Sequence, residues 1–281
     1  MKFGLVPVNV GVSSVEQMVG LAQLAEQHGF ESAWTFEHAI VPLDYASKYP
    51  YSPSGKMGAA PETNFVDPLI ALSNIAAQTS TLKLGTGVNI LPQANPLYVA
   101  KQAASLDFLS GGRFMLGVGI GWLQEEFIAA GVPFERRGAR FDDYMAALRK
   151  IWSGDTVDHQ SEFINWQGFK SYPAAPSLPV VMGGNKGRAF ARVAEFGQGW
   201  FAPTSEPDAL AADMEQLAAA CDTAKRSLDD IEITCMWTGQ GGQESIEALA
   251  AAGAHRLVIP LPALGQNPAE GIARISAEYI Q

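Results

Sequence analysis

The sequence predicts an α/β fold, a (β/α)8 TIM barrel with insertion segments, on three observations. Eight short apolar runs alternate with eight segments of helical periodicity. The runs are apolar throughout rather than alternating with polar residues, the mark of parallel strands covered on both faces. The length, 281 residues, exceeds the ~150 of an ordinary domain but suits a barrel closed around one large core. Residues 1–281 are therefore read as a single domain.

The elements follow in chain order. Strand 2–8 leads to Ser14 and Gln17, spaced as a capping box ahead of Val15, Met18, Val19, Ala22 and Ala25 at helical spacing; Gly29 closes that helix. Strand 32–36 comes next. Asp67 and Pro68 stand at the cap and first turn of the second helix, and strand 82–88 follows it. Helix 97–109 is stopped by Ser110, Gly111 and Gly112. Strand 113–118, helix 139–152, strand 179–182, helix 186–196 and strand 199–202 continue the alternation. Helix 208–220, strand 230–236, helix 243–252, strand 255–260 and helix 268–279 complete it. An open doubly wound sheet competes through Gly117, Gly119 and Gly121, but a dinucleotide fingerprint needs its third glycine at 122, where Trp122 stands.

Two segments outrun the usual ~2–6-residue connector. Segment 39–66, rich in Pro and Tyr, leaves a strand's C-terminal end, the face on which barrel enzymes build their sites. Segment 153–178 carries the alternating Phe163, Ile164, Asn165, Trp166 run of a small hairpin.

Composition narrows the function. With 19 basic and 29 acidic residues the net charge is −10, which argues against an extended nucleic-acid or anionic-membrane surface. An anionic ligand needs a local exception to that balance. Cys221 and Cys235 are too few for a disulfide framework, and no Cys/His run offers metal ligands. The first strand is interrupted by Pro7 and Asn9 and does not read as a leader, and nowhere do about 18 apolar residues run together. A protein of a reducing cytoplasm is expected.

A barrel would gather its strand-end residues over one cleft: Asn9, Glu37, His38, Gly87, Val88, Asn89, Gly119 to Trp122, Gly183 to Asn185, Thr204, Trp237 and Leu261. That set lacks a nucleophilic triad, paired catalytic carboxylates or a metal cluster, yet is rich in glycine, amide and aromatic groups. It suits a flat bound cofactor that brings its own reactivity. His38 follows Glu37 directly off the second strand, where it could hydrogen-bond a cofactor ring or relay a proton. His28 and His255 read as structural, and His159 as a surface residue without a partner. Gly183 and Gly184 precede a helix bearing Lys186, Arg188 and Arg192, which is either a phosphate site or a tight turn beside a solvated face. Arg136, Arg137 and Arg140 either reach an anionic tail or pair with Glu135 and Asp142. The glycines of Gly85-Thr86-Gly87 permit close approach of a planar ligand, or a barrel bulge.

The run 85–92, followed by Asn95-Pro96, Lys101-Gln102, Leu106 to Arg113 and Leu116 to Trp122, resembles the luciferase-like monooxygenase superfamily. Trp34 to His38, Glu125-Glu126-Phe127 with Gly131, and Arg137-Gly138 extend the resemblance toward its branch of coenzyme F420-dependent oxidoreductases. The resemblance implies a cofactor over the strand ends, a non-prolyl cis peptide at Gly87-Val88 behind its ring, and a phosphate at Gly183 and Gly184. It implies cofactor contacts from His38, Gly87, Val88, Asn89, Gly119, Met182, Gly183, Gly184 and Asn185, and chemistry at His38, Glu37 and Trp122. Relatives acting on sugar phosphates carry a catalytic Glu where this chain puts Trp122, which argues against that substrate class. The expected function is hydride transfer between coenzyme F420 and a small apolar or aromatic substrate, whose pocket draws on Pro42, Tyr45, Tyr49, Tyr51 and Trp122. The alternatives are an FMN-dependent monooxygenase served by a flavin reductase, and a non-catalytic cofactor-binding protein. A homodimer is expected, as relatives often dimerise.

Overall fold

The computed structural model describes residues 1–280. In chain order the elements are β1 (Lys2–Val6), α1 (Val15–Gln27), β2 (Ser32–Thr35), α2 (Pro68–Ala76), β3 (Lys83–Thr86), β4 (Asn89–Ile90), α3 (Pro96–Ser110), β5 (Phe114–Gly119), α4 (Gln124–Ala129) and α5 (Arg137–Trp152). There follow β6 (Val157–Gln160), β7 (Asn165–Phe169), β8 (Val180–Gly183), α6 (Ala189–Phe196), β9 (Gly199–Ala202), α7 (Pro207–Ala224), β10 (Glu232–Met236), α8 (Gly242–Ala251), β11 (Arg256–Pro260) and α9 (Pro268–Tyr279).

Eight parallel strands run β3-β2-β1-β11-β10-β9-β8-β5, and the β3–β5 pairing closes the ring. The barrel is the one the alternation predicts. Val6, Trp34, Met115, Val181, Phe201 and Val258, from six different strands, form an inner cluster. A larger shell of Leu, Ile, Val and Ala joins the strands to the surrounding helices. No helix of the described residues is long and apolar enough to cross a membrane.

The helices start where the sequence marks them. Ser14 Oγ accepts from the Gln17 amide, while Gln17 Oε1 reaches back one residue further than a standard capping box, to the Ser13 amide at 2.8 Å. Asp67 caps α2 through the Ile70 amide, with Pro68 in the first turn.

The predicted strand 82–88 is broken. β3 partners β5 at an offset of 30 residues, Leu84 opposite Phe114, and β4 resumes at an offset of 29, Asn89 opposite Val118. The extra residue is a bulge, and within it the Gly87-Val88 peptide is cis. Gly117 makes the seam possible: a Cβ there would lie 1.6 Å from the Thr86 carbonyl oxygen, and Thr86 Oγ1 donates to the Gly117 carbonyl at 2.7 Å.

At the opposite end, Arg256 is 1% exposed and seals the floor. Its guanidinium donates twice to Glu31, at 2.7 and 2.8 Å, and lies 2.6 Å from a Glu232 oxygen.

Two local expectations are corrected, and one of two open readings falls away. The hairpin strands flank Phe163 and Ile164 instead of containing them, because Ser161 Oγ accepts from both their amides and folds 161–164 into the turn. His159 is 8% exposed rather than at the surface, and its Nε2 lies 2.8 Å from Asp143 Oδ1. The arginine cluster does not pair with Asp142, which binds Arg192 at 2.5 Å. Arg136 pairs with Glu162, Arg140 is buried against the Pro92 and Pro133 carbonyls, and Arg137 donates to the Gly121 carbonyl at 3.1 Å.

Candidate active site

The strand C-terminal ends surround a cleft with two lobes. Both lobes share Phe36, Tyr49, Tyr51, Gly87, Val88 and Trp122, so they meet over the bulge. One, of about 420 Å³, is lined by Gly119, Met182, Gly183, Gly184 and Asn185 and carries Lys48, Arg137, Lys186 and Arg192. The other, of about 660 Å³, is lined by Glu37, His38, Phe65, Glu126, Leu261 and Pro262, among others, and has no Lys or Arg in its wall. Charge is thus partitioned along one groove.

Glu37 and His38 project from the end of β2. Glu37 takes a hydrogen bond from Asn89 Nδ2 at 2.9 Å and another from the Ile90 amide. Burial pushes its carboxyl up to about 8; the Ile90 amide opposes the rise, and the negative charges of Glu126 and Asp67 add to it. A carboxylic acid in that range keeps its proton at neutral pH. His38 Nδ1 lies 3.2 Å from Glu126 Oε2, and the other Glu126 oxygen accepts from the Ala39 amide at 2.5 Å and the Ile40 amide at 3.3 Å.

The cationic lobe has the chemistry of an anion cradle. Gly184 has φ +91° and Gly187 φ +61°, values that suit glycine and let successive amides converge. Among the described residues no carbonyl or side chain accepts from the Asn185, Lys186 or Gly187 amides. Lys186 and Lys48 have no ion pair there either, whereas Arg192 is held by Asp142 and the Gly138 carbonyl. Asn185 Nδ2 donates to Asp213 at 2.9 Å, leaving its buried Oδ1 without a partner. Free amides, free ammonium groups and an orphaned amide oxygen fit a phosphate ester with polar groups beyond it.

Aromatic rings form the roof. Trp122 lies 5.9 Å from the His38 ring, 5.1 Å from Tyr49 and 5.8 Å from Tyr45, and Phe65 packs edge-on against His38 at 5.6 Å. Tyr49 and Tyr51 line the cleft, Tyr45 stands behind Trp122, and Pro42 is not in the wall.

Of the residues singled out in the sequence, Glu37, His38, Trp122, Gly87, Val88, Gly119, Met182, Gly183, Gly184 and Asn185 all face this cleft. Asn89 stands behind it, holding Glu37. Asn9 is buried structural glue between Phe36 and Val66, and Thr204 and Trp237 lie outside the wall. Glu126 was not among the candidate site residues, although the Glu125-Glu126-Phe127 motif contained it.

A family model described as luciferase-like monooxygenase matches residues 2–277. The chain belongs to the luciferase-like monooxygenase family. A family relative in Mycobacterium tuberculosis, an uncharacterised protein, is 33% identical over 193 residues, 68% of this chain and 67% of its own. Among solved structures, the coenzyme F420-dependent tetrahydromethanopterin reductase of Methanopyrus kandleri superposes with a TM-score of 0.78 at 18% identity, covering 99% of this chain and 98% of that one. A type II Baeyer–Villiger monooxygenase of Pseudomonas putida, solved with FMN, gives a TM-score of 0.65 at 17% identity over 83% of this chain and 66% of its own. A protein named for coenzyme F420 and one solved with FMN therefore share this fold.

Proposed function

We propose that the protein is an oxidoreductase that exchanges hydride between coenzyme F420 and a small, uncharged, apolar substrate. The observation that carries this reading is the partition of the cleft, with free cations and amides at one end and a Glu/His pair among aromatic rings at the other. The resemblance of the motifs to the deazaflavin-dependent branch supports it.

When bound, the deazaflavin supplies a ring that accepts or returns hydride. The chain does the rest. The Asn185 to Gly187 amides and Lys186 hold the phosphate, and Lys48 and Arg137 face the acidic tail beyond it. Gly87 and Val88 back the ring between the lobes. Glu37, protonated at neutral pH, holds a proton at its carboxyl, and His38 takes or gives one at its ring nitrogen. Tyr49, Tyr51 and Trp122 exclude water from the junction. The lobe beside His38 offers no cation to a phosphate or carboxylate, which is why the substrate is assigned as uncharged.

Binding titrations of F420 and FMN at two ionic strengths test the assignment. Tighter F420 binding is expected, with a margin over FMN that shrinks in salt as exposed charges are screened. Tight FMN binding without measurable F420 affinity, or oxygen-dependent turnover with reduced FMN, overturns it.

A further inference from the structure

We propose that Glu126 is a positioning residue that fixes His38 as the Nδ1–H tautomer and thereby presents Nε2 to the cleft as a proton acceptor. The proposal rests on the hydride-transfer reading only for what that acceptor is used for.

The argument begins with the donors around one carboxylate. The Glu126 side chain is 3% exposed, so its oxygens must find partners within the protein. Oε1 already accepts from two main-chain amides, Ala39 and Ile40. Oε2 faces His38 Nδ1 at 3.2 Å. A carboxylate has lone pairs and no proton to give, so the imidazole must supply the hydrogen of that contact. A neutral imidazole has one N–H, and placing it on Nδ1 leaves Nε2 bare.

The surroundings hold this arrangement. Phe65 and Trp122 lie edge-on to the His38 ring at interplanar angles of 87° and 85°, which restricts its rotation. A proton taken at Nε2 leaves an imidazolium facing the Glu126 charge. The same charge adds to the forces that keep Glu37 protonated. One buried carboxylate thus sets a base and an acid side by side at the end of β2.

Glu126→Gln provides a sharp test because its single oxygen is claimed by two amides. Its NH2 group must then face His38 Nδ1, which can only accept, and the ring proton moves to Nε2. Two-bond proton–nitrogen spectra of protein labelled with 15N-histidine, taken without cofactor or substrate and at a pH where the ring is neutral, read the tautomer directly; His38→Gln assigns the signals. The wild type should show a protonated Nδ1 and a bare Nε2, and the Gln variant the reverse. Turnover of the variant should fall at least ~10²-fold in kcat with KM little changed. A residue that merely braced the 39–66 segment would leave the tautomer as it was.

A protonated Nε2 in the wild type overturns the proposal, as does an unchanged tautomer in a folded variant. Should Glu126→Gln fail to fold, the wild-type spectrum still decides. Since the spectra need no ligand, failure of the deazaflavin reading shows separately, in the binding titrations.

Discussion

Glu37 and Glu31 carry opposite pH signatures. The Glu37 carboxyl is raised from 4.5 to about 8, so in the window between those values the unfolded chain gives up this proton while the folded chain keeps it. Its contribution to stability is complete below pH 4.5 and lost as pH rises toward 8. Glu37→Gln imitates the protonated form: its oxygen is kept for the Ile90 amide, and a flip of the Asn89 amide brings the unpartnered Asn89 oxygen to the new NH2 group. Thermal melts should therefore show the variant gaining on the wild type between pH 5 and pH 8; a constant difference would mean that Glu37 titrates normally. Glu31 is lowered to about 2 by the Arg256 and Lys83 charges, which outweigh its burial. Its stabilisation is present above pH 4.5 and lost as pH falls toward 2, so Glu31→Gln should cost most near neutrality and little at pH 2. At the cleft, His38→Ala should cut turnover by ~10²–10⁴-fold, the usual worth of a positioned acid–base group, while leaving F420 binding nearly intact. Equal loss of binding would make His38 a cofactor clamp instead.

Strands and helices explain which parts of the molecule could be read from the chain. Apolar runs of four to seven residues between periodic segments were enough for all eight barrel strands and eight of the helices around them. The strand-end rule then gathered Glu37, His38 and the 183–185 turn onto one face. The six-residue α4 and the two-residue β4 escaped, since neither is long enough to show a period. Glu126 escaped as a site residue because its partners lie 86 to 88 positions away, a distance no local pattern spans. His159 was misplaced for the same reason, its Asp143 lying on another element. The β3–β5 seam offers a direct check on the closure itself. Gly117→Ala puts a methyl group into the Thr86 carbonyl, a clash with backbone that a rotamer change cannot relieve. Urea unfolding should show a loss at or above the upper end of the ~1–3 kcal/mol typical of overpacking, whereas an unchanged midpoint would mean that the two strands part freely there.

Across the whole molecule, net negative charge is reconciled with the proposed anionic cofactor by free cations concentrated at one lobe. Lys48→Glu should weaken F420 more than FMN, because it faces the carboxylates that the deazaflavin carries beyond its phosphate. The gap should narrow between 50 and 500 mM salt, conditions chosen to bracket a Debye length of ~10 Å at 0.1 M. Equal weakening of both would place Lys48 at the phosphate instead of the tail. The floor is sealed by Arg256 and its two glutamates, so the proposed cofactor and substrate would share the upper mouth, beneath segment 39–66. The first stretch of that segment is moored by carboxylates acting on main chain: Glu126 holds the Ala39 and Ile40 amides, and Glu125 those of Ala46 and Ser47. An amide is the same whatever side chain it bears. Descendants of this gene can therefore exchange the residues of the roof, and with them the guest they admit, without loosening its moorings; substrate preference is free to drift from one lineage to the next while the two glutamates stay put.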